Sequence, residues 1–258
     1  MLTHAPWDAV PGLRHGFLDA AECAAAEWET VLARVGVRLP LALPRQVHGT
    51  RVMSAVSAGP APAADALASR TPGLLVGVVT ADCMPVLLAD RRRRVVAAVH
   101  AGWRGAAAGV LEAAVAHLHA AFGTRPADLE AAIGPAVAGC CYEVGAEVVE
   151  AFRARTGEAT APAWKRRGSR HHLDLRVAAR CLLEAAGVRS VAVRGPCTAC
   201  GPGYHSYRRD ETRTGRQLSF AGWEYRPRPG RPWARRSARG PPGRRGRAGP
   251  WPRRASRP

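Results

Sequence analysis

Lysine is almost missing from this chain of 258 residues: 37 of its 38 basic residues are arginine, and Lys165 is the exception. Long apolar runs are missing too. No window approaches the ~20 consecutive apolar residues that a membrane-spanning helix needs, so no membrane partner is expected. The opening MLTHAPWDAVPGLRHG lacks a basic stretch followed by an apolar core, the pattern of a secretory signal, and a cytoplasmic chain is the expectation. No internal repeat is evident. Acidic residues are absent from 226–258, which carry 12 arginines among prolines and glycines and leave a balance of only +6 for residues 1–225.

What is present fits one catalytic domain over 1–225 followed by an arginine-rich tail. The tail has almost no aliphatic residues, so burial could not offset the entropy of ordering it, and 226–258 reads as disordered. Two readings of it stay open. One is a solvated extension of an arginine-biased chain; the other is an arm that meets nucleic acid non-specifically through its charge. Seven cysteines, an odd number in a chain of this size, suit reduced thiols.

Short strand and helix signals alternate along the chain, which predicts a mixed α/β, α+β class domain of layered sheets flanked by helices. Residues 20–35 have helical composition, with Gly36 as a stop. An extended segment at 41–47 leads to a turn at His48-Gly49 and a second strand at 50–56. The run LLVGVVTADCMPVLLAD (74–90) reads as two strand pieces around a break at Asp82-Cys83 and Pro85. Arg91–Arg94 then form a solvated hairpin turn before the strand VVAAVH. The spacing predicts a helix over 105–123, with Val110, Leu111, Ala114, Val115, Leu118 and Phe122 on one face. Further helices are expected at 145–156 and, capped by Asp174, at 175–186, with a strand at 188–194.

Histidine and cysteine placement points to chemistry. His117 and His119 lie two apart on a helix and point about 200° apart, so they cannot chelate together. His171 and His172 are adjacent in an extended segment and face opposite ways. His48, Cys83 and His100 differ, because each ends or interrupts an apolar extended run. Together they could form a His₂Cys site suited to zinc, with the fourth position open to water or substrate as in catalytic zinc. Simple burial of the three is the competing reading. Cys197-Thr-Ala-Cys200 is a CxxC, but a zinc ribbon needs a second one, and Cys140-Cys141 are adjacent instead. Ordinary thiols are therefore expected there, and Cys23 and Cys181 read as core.

Several phrases are similar to one family: RQVHG (45–49), TADCMPVLLAD (80–90), AVHAGWRG (98–105), AAIGPAVAGCCYEVG (131–145), and CTAC with SYRRD and TGR (197–216). The chain resembles the YfiH, or laccase-domain, family over about residues 40–220. Members have been called polyphenol oxidoreductases, purine nucleoside phosphorylases and peptidoglycan editing factors. The resemblance implies that His48, Cys83 and His100 are metal ligands. It also implies a fold of layered sheets and helices like that of Cys-His deamidase toxins. The implied activity is phosphorolysis of adenosine, inosine and methylthioadenosine, with adenosine deamination beside it.

In such a reaction Arg45, Arg104 and Arg208 could hold phosphate, since guanidinium forks suit its oxygens. Asp82 could shuttle a proton to the base, and Tyr142 or Tyr207 could stack on the purine. Structural ion pairs and core packing are the competing roles of these residues, and packing is expected for Trp103. Copper is the alternative cofactor, for a polyphenol oxidoreductase, although multicopper centres use several HxH pairs and His117/His119 is the single one here. A second alternative makes Cys83 a nucleophile with a histidine base, hydrolysing an amide in a peptidoglycan precursor. The chain departs from the family near residue 20, where a family loop before the first helix is missing.

Overall fold

Two β-sheets lie face to face, one covered on its outer side by several helices and the other by the helix Trp28–Arg34. The computed structural model describes residues 1–24 and 27–225; the expected tail at 226–258 lies outside the described residues. The larger sheet has six strands in the order Ser190–Val193, Glu130–Ile133, Met84–Asp90, Val95–Ala101, Ala66–Ser69 and Val52–Ser54. The first and last pairs in that order are parallel and the pairings between them antiparallel. The second sheet has five, in the order Leu13–Phe17, Gln217–Trp223, Leu74–Thr80, Leu41–Arg45 and Gly59–Ala63. A small three-stranded sheet is built from Glu143–Val144, Arg170–Leu173 and Trp164–Arg167.

The two-residue period of the strands sorts side chains between layers. Val76, Val78, Leu87, Ala89, Val96 and Ala98 meet between the sheets. Met84, Val86, Leu88, Val95, Ala97 and Val99 face the helices of the opposite side. Strands covered on both faces read as continuous apolar runs rather than alternating ones, which is why 74–90 showed no amphipathic pattern.

The break at Asp82-Cys83 and the hairpin at Arg91–Arg94 stand where the sequence puts them. Buried Asp90 accepts the N–H groups of Arg92 and Arg93, closing the turn. Asp174 caps the Leu175–Ala185 helix by accepting from the N–H groups of Arg176 and Val177. Two expected helices are altered. The one at 105–123 divides into Trp103–Ala108 and Val110–Phe122, because Gly109 adopts φ 101°, outside the helical region. Among the described residues, the one at 20–35 is helical only over Trp28–Arg34. Upstream, Asp19 and Glu22 exchange side-chain bonds to each other's N–H groups and close a tight turn instead. The strand expected at 50–56 contracts to Val52–Ser54. Among the described residues, no helix is long and apolar enough to cross a membrane.

Candidate metal centre and cavity

His48, Cys83 and His100 meet at the C-terminal ends of strands from both sheets. His100 shares a face with Val96 and Ala98, so the strand's alternation aims it between the sheets, at their open end. Cys83 comes from the break between Leu74–Thr80 and Met84–Asp90, and His48 from the turn that follows Leu41–Arg45. The donor atoms of all three lie within 4.8 Å of one another. Cys83 Sγ stands 3.9 Å from His48 Nε2.

Asp65, a residue that nothing in the sequence marked, holds this arrangement together. It is fully buried. Its carboxylate accepts the N–H groups of Val47 (3.2 Å), His48 (2.9 Å) and Gly49 (2.7 Å), and lies 2.9 Å from His100 Nδ1. His48 is thereby fixed at φ 59°, a left-handed conformation that a non-glycine residue adopts at a cost. With Nδ1 of His100 donating to Asp65, Nε2 is left as the donor toward the cluster, the carboxylate–histidine pairing common behind metal ligands.

The electrostatics follow from these contacts. Burial alone would push the Cys83 thiol up, but His100 and His48 outweigh it and bring it down to about 7. Burial would lower His100, yet the bond to Asp65 and the contact with Cys83 raise it to about 9. Asp65, despite burial, is held below the usual carboxylate range by His100 and the turn amides. A thiol near neutrality beside two imidazoles is a donor set that a borderline-soft cation can claim by displacing a proton.

The backbone makes room for such an ion. A Cβ on Gly102 would lie 3.0 Å from Cys83 Sγ and 3.0 Å from His48 Cδ2 and press on both, so glycine lets the two side chains approach this closely. Three N/S ligands, with no fourth protein donor grouped with them among the described residues, fit zinc or copper and leave one position open.

The cluster opens into a cavity of about 710 Å³. Arg104, Arg208, Tyr142 and Asp82, all singled out in the sequence, line it. Arg45 does not: it sits exposed at the end of its strand, and Arg216 joins the lining instead. The strand's alternation turns Arg45 away, while TGR (214–216) brings its arginine to the cavity. Trp103 also lines the cavity while packing on the helical side of the core, and the Arg104 guanidinium lies 4.4 Å from its ring centre.

Asp82 is engaged at both oxygens, by the Thr198 hydroxyl at 2.5 Å and the Arg208 N–H at 2.6 Å. It thus ties two distant segments to the break beside Cys83. Burial, then the Cys83 charge, pushes the Tyr142 hydroxyl up to about 12, so it stays protonated and able to donate. Gln46 reaches across the gap between two strands: its amide donates to the Val79 carbonyl and accepts the Val79 N–H, each at 2.8 Å.

His117 and His119 are engaged separately, with Ser54 Oγ and the Thr124 carbonyl. The second cysteine set is a correction. Cys140, Cys141, Cys197 and Cys200 are not scattered thiols but converge away from the cavity lining. Cys140-Cys141 lie in a turn rather than an extended segment, so adjacency does not send their side chains apart.

A layered α+β protein with a Cys/His cluster at its strand ends is the class that fold and site define. Comparison with known proteins narrows it. A family described as multi-copper polyphenol oxidoreductase laccase matches residues 9–224. A Deinococcus radiodurans protein named purine nucleoside phosphorylase is 42% identical over 179 residues, covering 69% of this chain and 68% of that one. Adenosine deaminase RL5, from an unknown prokaryotic organism, is 36% identical over 185 residues, covering 66% and 70%. Among solved structures, YlmD from Geobacillus stearothermophilus superposes with a TM-score of 0.74 at 26% identity, covering 84% of this chain and 93% of that one. Neisseria meningitidis NMB0706 gives 0.71 at 33% identity, covering 85% and 97%. The chain belongs to the YfiH, or laccase-domain, family.

Proposed function

We propose that this chain is a zinc-dependent enzyme of purine nucleosides, cleaving adenosine, inosine or methylthioadenosine with phosphate and deaminating adenosine as a side reaction. The observation that carries this reading is the His48/Cys83/His100 cluster opening onto a cavity edged by Arg104, Arg208 and Arg216. The names of the Deinococcus relative and of RL5 point to the same substrate class. A volume of about 710 Å³ lies within the range of small-molecule sites and suits a nucleoside beside phosphate.

His48, Cys83 and His100 would hold the zinc, with Asp65 orienting His100. When bound, zinc would supply Lewis acidity and one open coordination position. The arginines bind phosphate and keep its charge beside the ribose as the base departs. Tyr142 stacks on or hydrogen-bonds the purine. Asp82, next to Cys83 in the wall, exchanges a proton with the leaving base while its bonds to Thr198 and Arg208 fix its direction.

A second reading has one observation in its favour. Asp65, His100 and Cys83 form a chain of contacts that would also favour a thiolate beside an imidazolium, the pair that opens an amide bond. Metal content and turnover separate the two. Protein purified without a metal-affinity tag should carry zinc and release free base from adenosine only with phosphate, and Cys83→Ala should abolish base release and remove the zinc held with His48 and His100. Tight zinc binding without nucleoside turnover would overturn the proposed activity. Amide hydrolysis that rises on chelation would install the thiol reading.

A further inference from the structure

The four cysteines away from the cavity form a group that the proposed reaction does not use. Their sulfurs all lie within 4.8 Å of one another, with Cys200 Sγ 3.2 Å from Cys140 and 3.4 Å from Cys141. All four are free thiols. Four sulfurs at ~2.3 Å from one tetrahedral zinc stand about 3.8 Å apart. The observed spread brackets that separation and is well beyond the ~2.05 Å of a disulfide.

Two turns deliver them. In the first, the N–H groups of Cys141 and Tyr142 both bond the Ala138 carbonyl, so the chain coils and both adjacent side chains can reach Cys200. In the second, Cys197 is followed by a turn at 198–200, and the Thr198 N–H bonds the Ala136 carbonyl, joining the two turns. The Ala138 N–H donates to Cys197 Sγ at 3.3 Å, a bond suited to a thiolate ligand. A zinc ion with four thiolates carries a charge of about −2, and guanidinium groups hold the surrounding carbonyls: Arg167 on Cys140, Arg209 on Thr198 and Gly201, Arg176 on Gly195. Cys140 and Cys200 are exposed, which leaves the ion a way in.

We propose that Cys140, Cys141, Cys197 and Cys200 form a closed tetrathiolate zinc site that clamps the 138–142 turn to the 197–201 turn. Its closure gives it a structural role rather than a reactive one. The clamp lies behind the catalytic wall: Tyr142, next to Cys141, lines the cavity, and Thr198, next to Cys197, bonds Asp82. This site stands independently of the nucleoside reaction, because its signature is metal content and spectrum rather than turnover.

The test uses the full chain, grown with zinc and purified under reducing conditions without a metal-affinity tag. A variant with His48→Ala, Cys83→Ala and His100→Ala removes the other site and should still hold about one zinc per chain, against about two in the parent. Replacing that zinc with cobalt should give the visible bands and strong sulfur-to-metal charge-transfer absorption of a tetrahedral tetrathiolate ion. Adding Cys140→Ser and Cys200→Ser should abolish the cobalt spectrum and lower the melting temperature. This spectrum is read on a protein with all four cysteines intact, so the proposal does not depend on the serine variant folding. A His48/Cys83/His100-less protein that holds no zinc and gives no tetrathiolate cobalt spectrum overturns it. So does a disulfide between any two of the four in the reduced preparation.

Discussion

The two sulfur-bearing centres are built on opposite principles. His48, Cys83 and His100 stand on strand ends or the turns next to them, locked by one buried carboxylate, and present mixed nitrogen and sulfur donors to a cavity. Cys140, Cys141, Cys197 and Cys200 stand on two turns that touch through few backbone bonds, and present sulfur alone. The first is organised by the protein before any ion arrives. The second is gathered by turn hydrogen bonds and the guanidinium groups around them, and the proposed ion would tie it together. Reactive centres need an open position and preset geometry, whereas a staple needs neither.

Asp65→Ala should break the first centre most severely. It leaves the amides of Val47, His48 and Gly49 and the His100 ring without their shared acceptor. The expected loss is about 3–5 kcal/mol in denaturant unfolding of the metal-free protein. Zinc affinity at His48/Cys83/His100 should fall about 10–100-fold, while the tetrathiolate cobalt spectrum persists. Loss of both sites together would show that the centres are not separate.

Acid sharpens the contrast through two buried histidines with opposite fates. His100 is raised to about 9, so in metal-free protein its contribution is complete below the unfolded value near 6.5 and is lost as pH climbs through 9. His15 is lowered to about 4, chiefly by burial, which outweighs the Asp8 carboxylate at 3.6 Å. Its contribution is present above 6.5 and is lost as pH falls from there to about 4, a change on the order of 3 kcal/mol. Urea unfolding between pH 4 and 7 should therefore steepen with acid in the parent and flatten in His15→Gln. Equal slopes would remove His15 from the account.

The smallest effect is expected on the staple's side. Asp174 caps its helix and also receives the Gly139 N–H, beside Cys140. Asp174→Ala should cost about 1 kcal/mol, measured by thermal unfolding. It should speed zinc loss to a chelator from the four-cysteine site and leave the His48/Cys83/His100 ion in place.

The strand pieces at 74–80 and 84–90 were legible because uninterrupted apolar runs bounded by a polar break have few other readings. The same breaks exposed His48, Cys83 and His100, and the Asp174 cap announced its helix. Asp65 was invisible: in PAADALAS it is an ordinary loop acid, and its weight comes from burial against a turn 17 residues away and a strand 35 away. The four cysteines were misjudged because only a second CxxC was taken as a partner for Cys197 and Cys200, whereas the Ala138 carbonyl coils the adjacent Cys140-Cys141 toward them. Gly109 was hidden among alanines, where composition favours helix and a single positive φ overrules it.

The bridge from Gln46 to Val79 has its own consequence. Leu41–Arg45 pairs with Leu74–Thr80 only at Leu41 and Ala42, and beyond them a side-chain amide stands in for the missing backbone partner. The sheet is unzipped at one corner, and Pro44, Gln46 and Val79 line the cavity there. This corner and the His48/Cys83/His100 cluster are therefore held by different side chains. A change at Gln46 would thus alter one wall of the cavity while the Asp65 carboxylate still holds the His48 turn and the His100 ring.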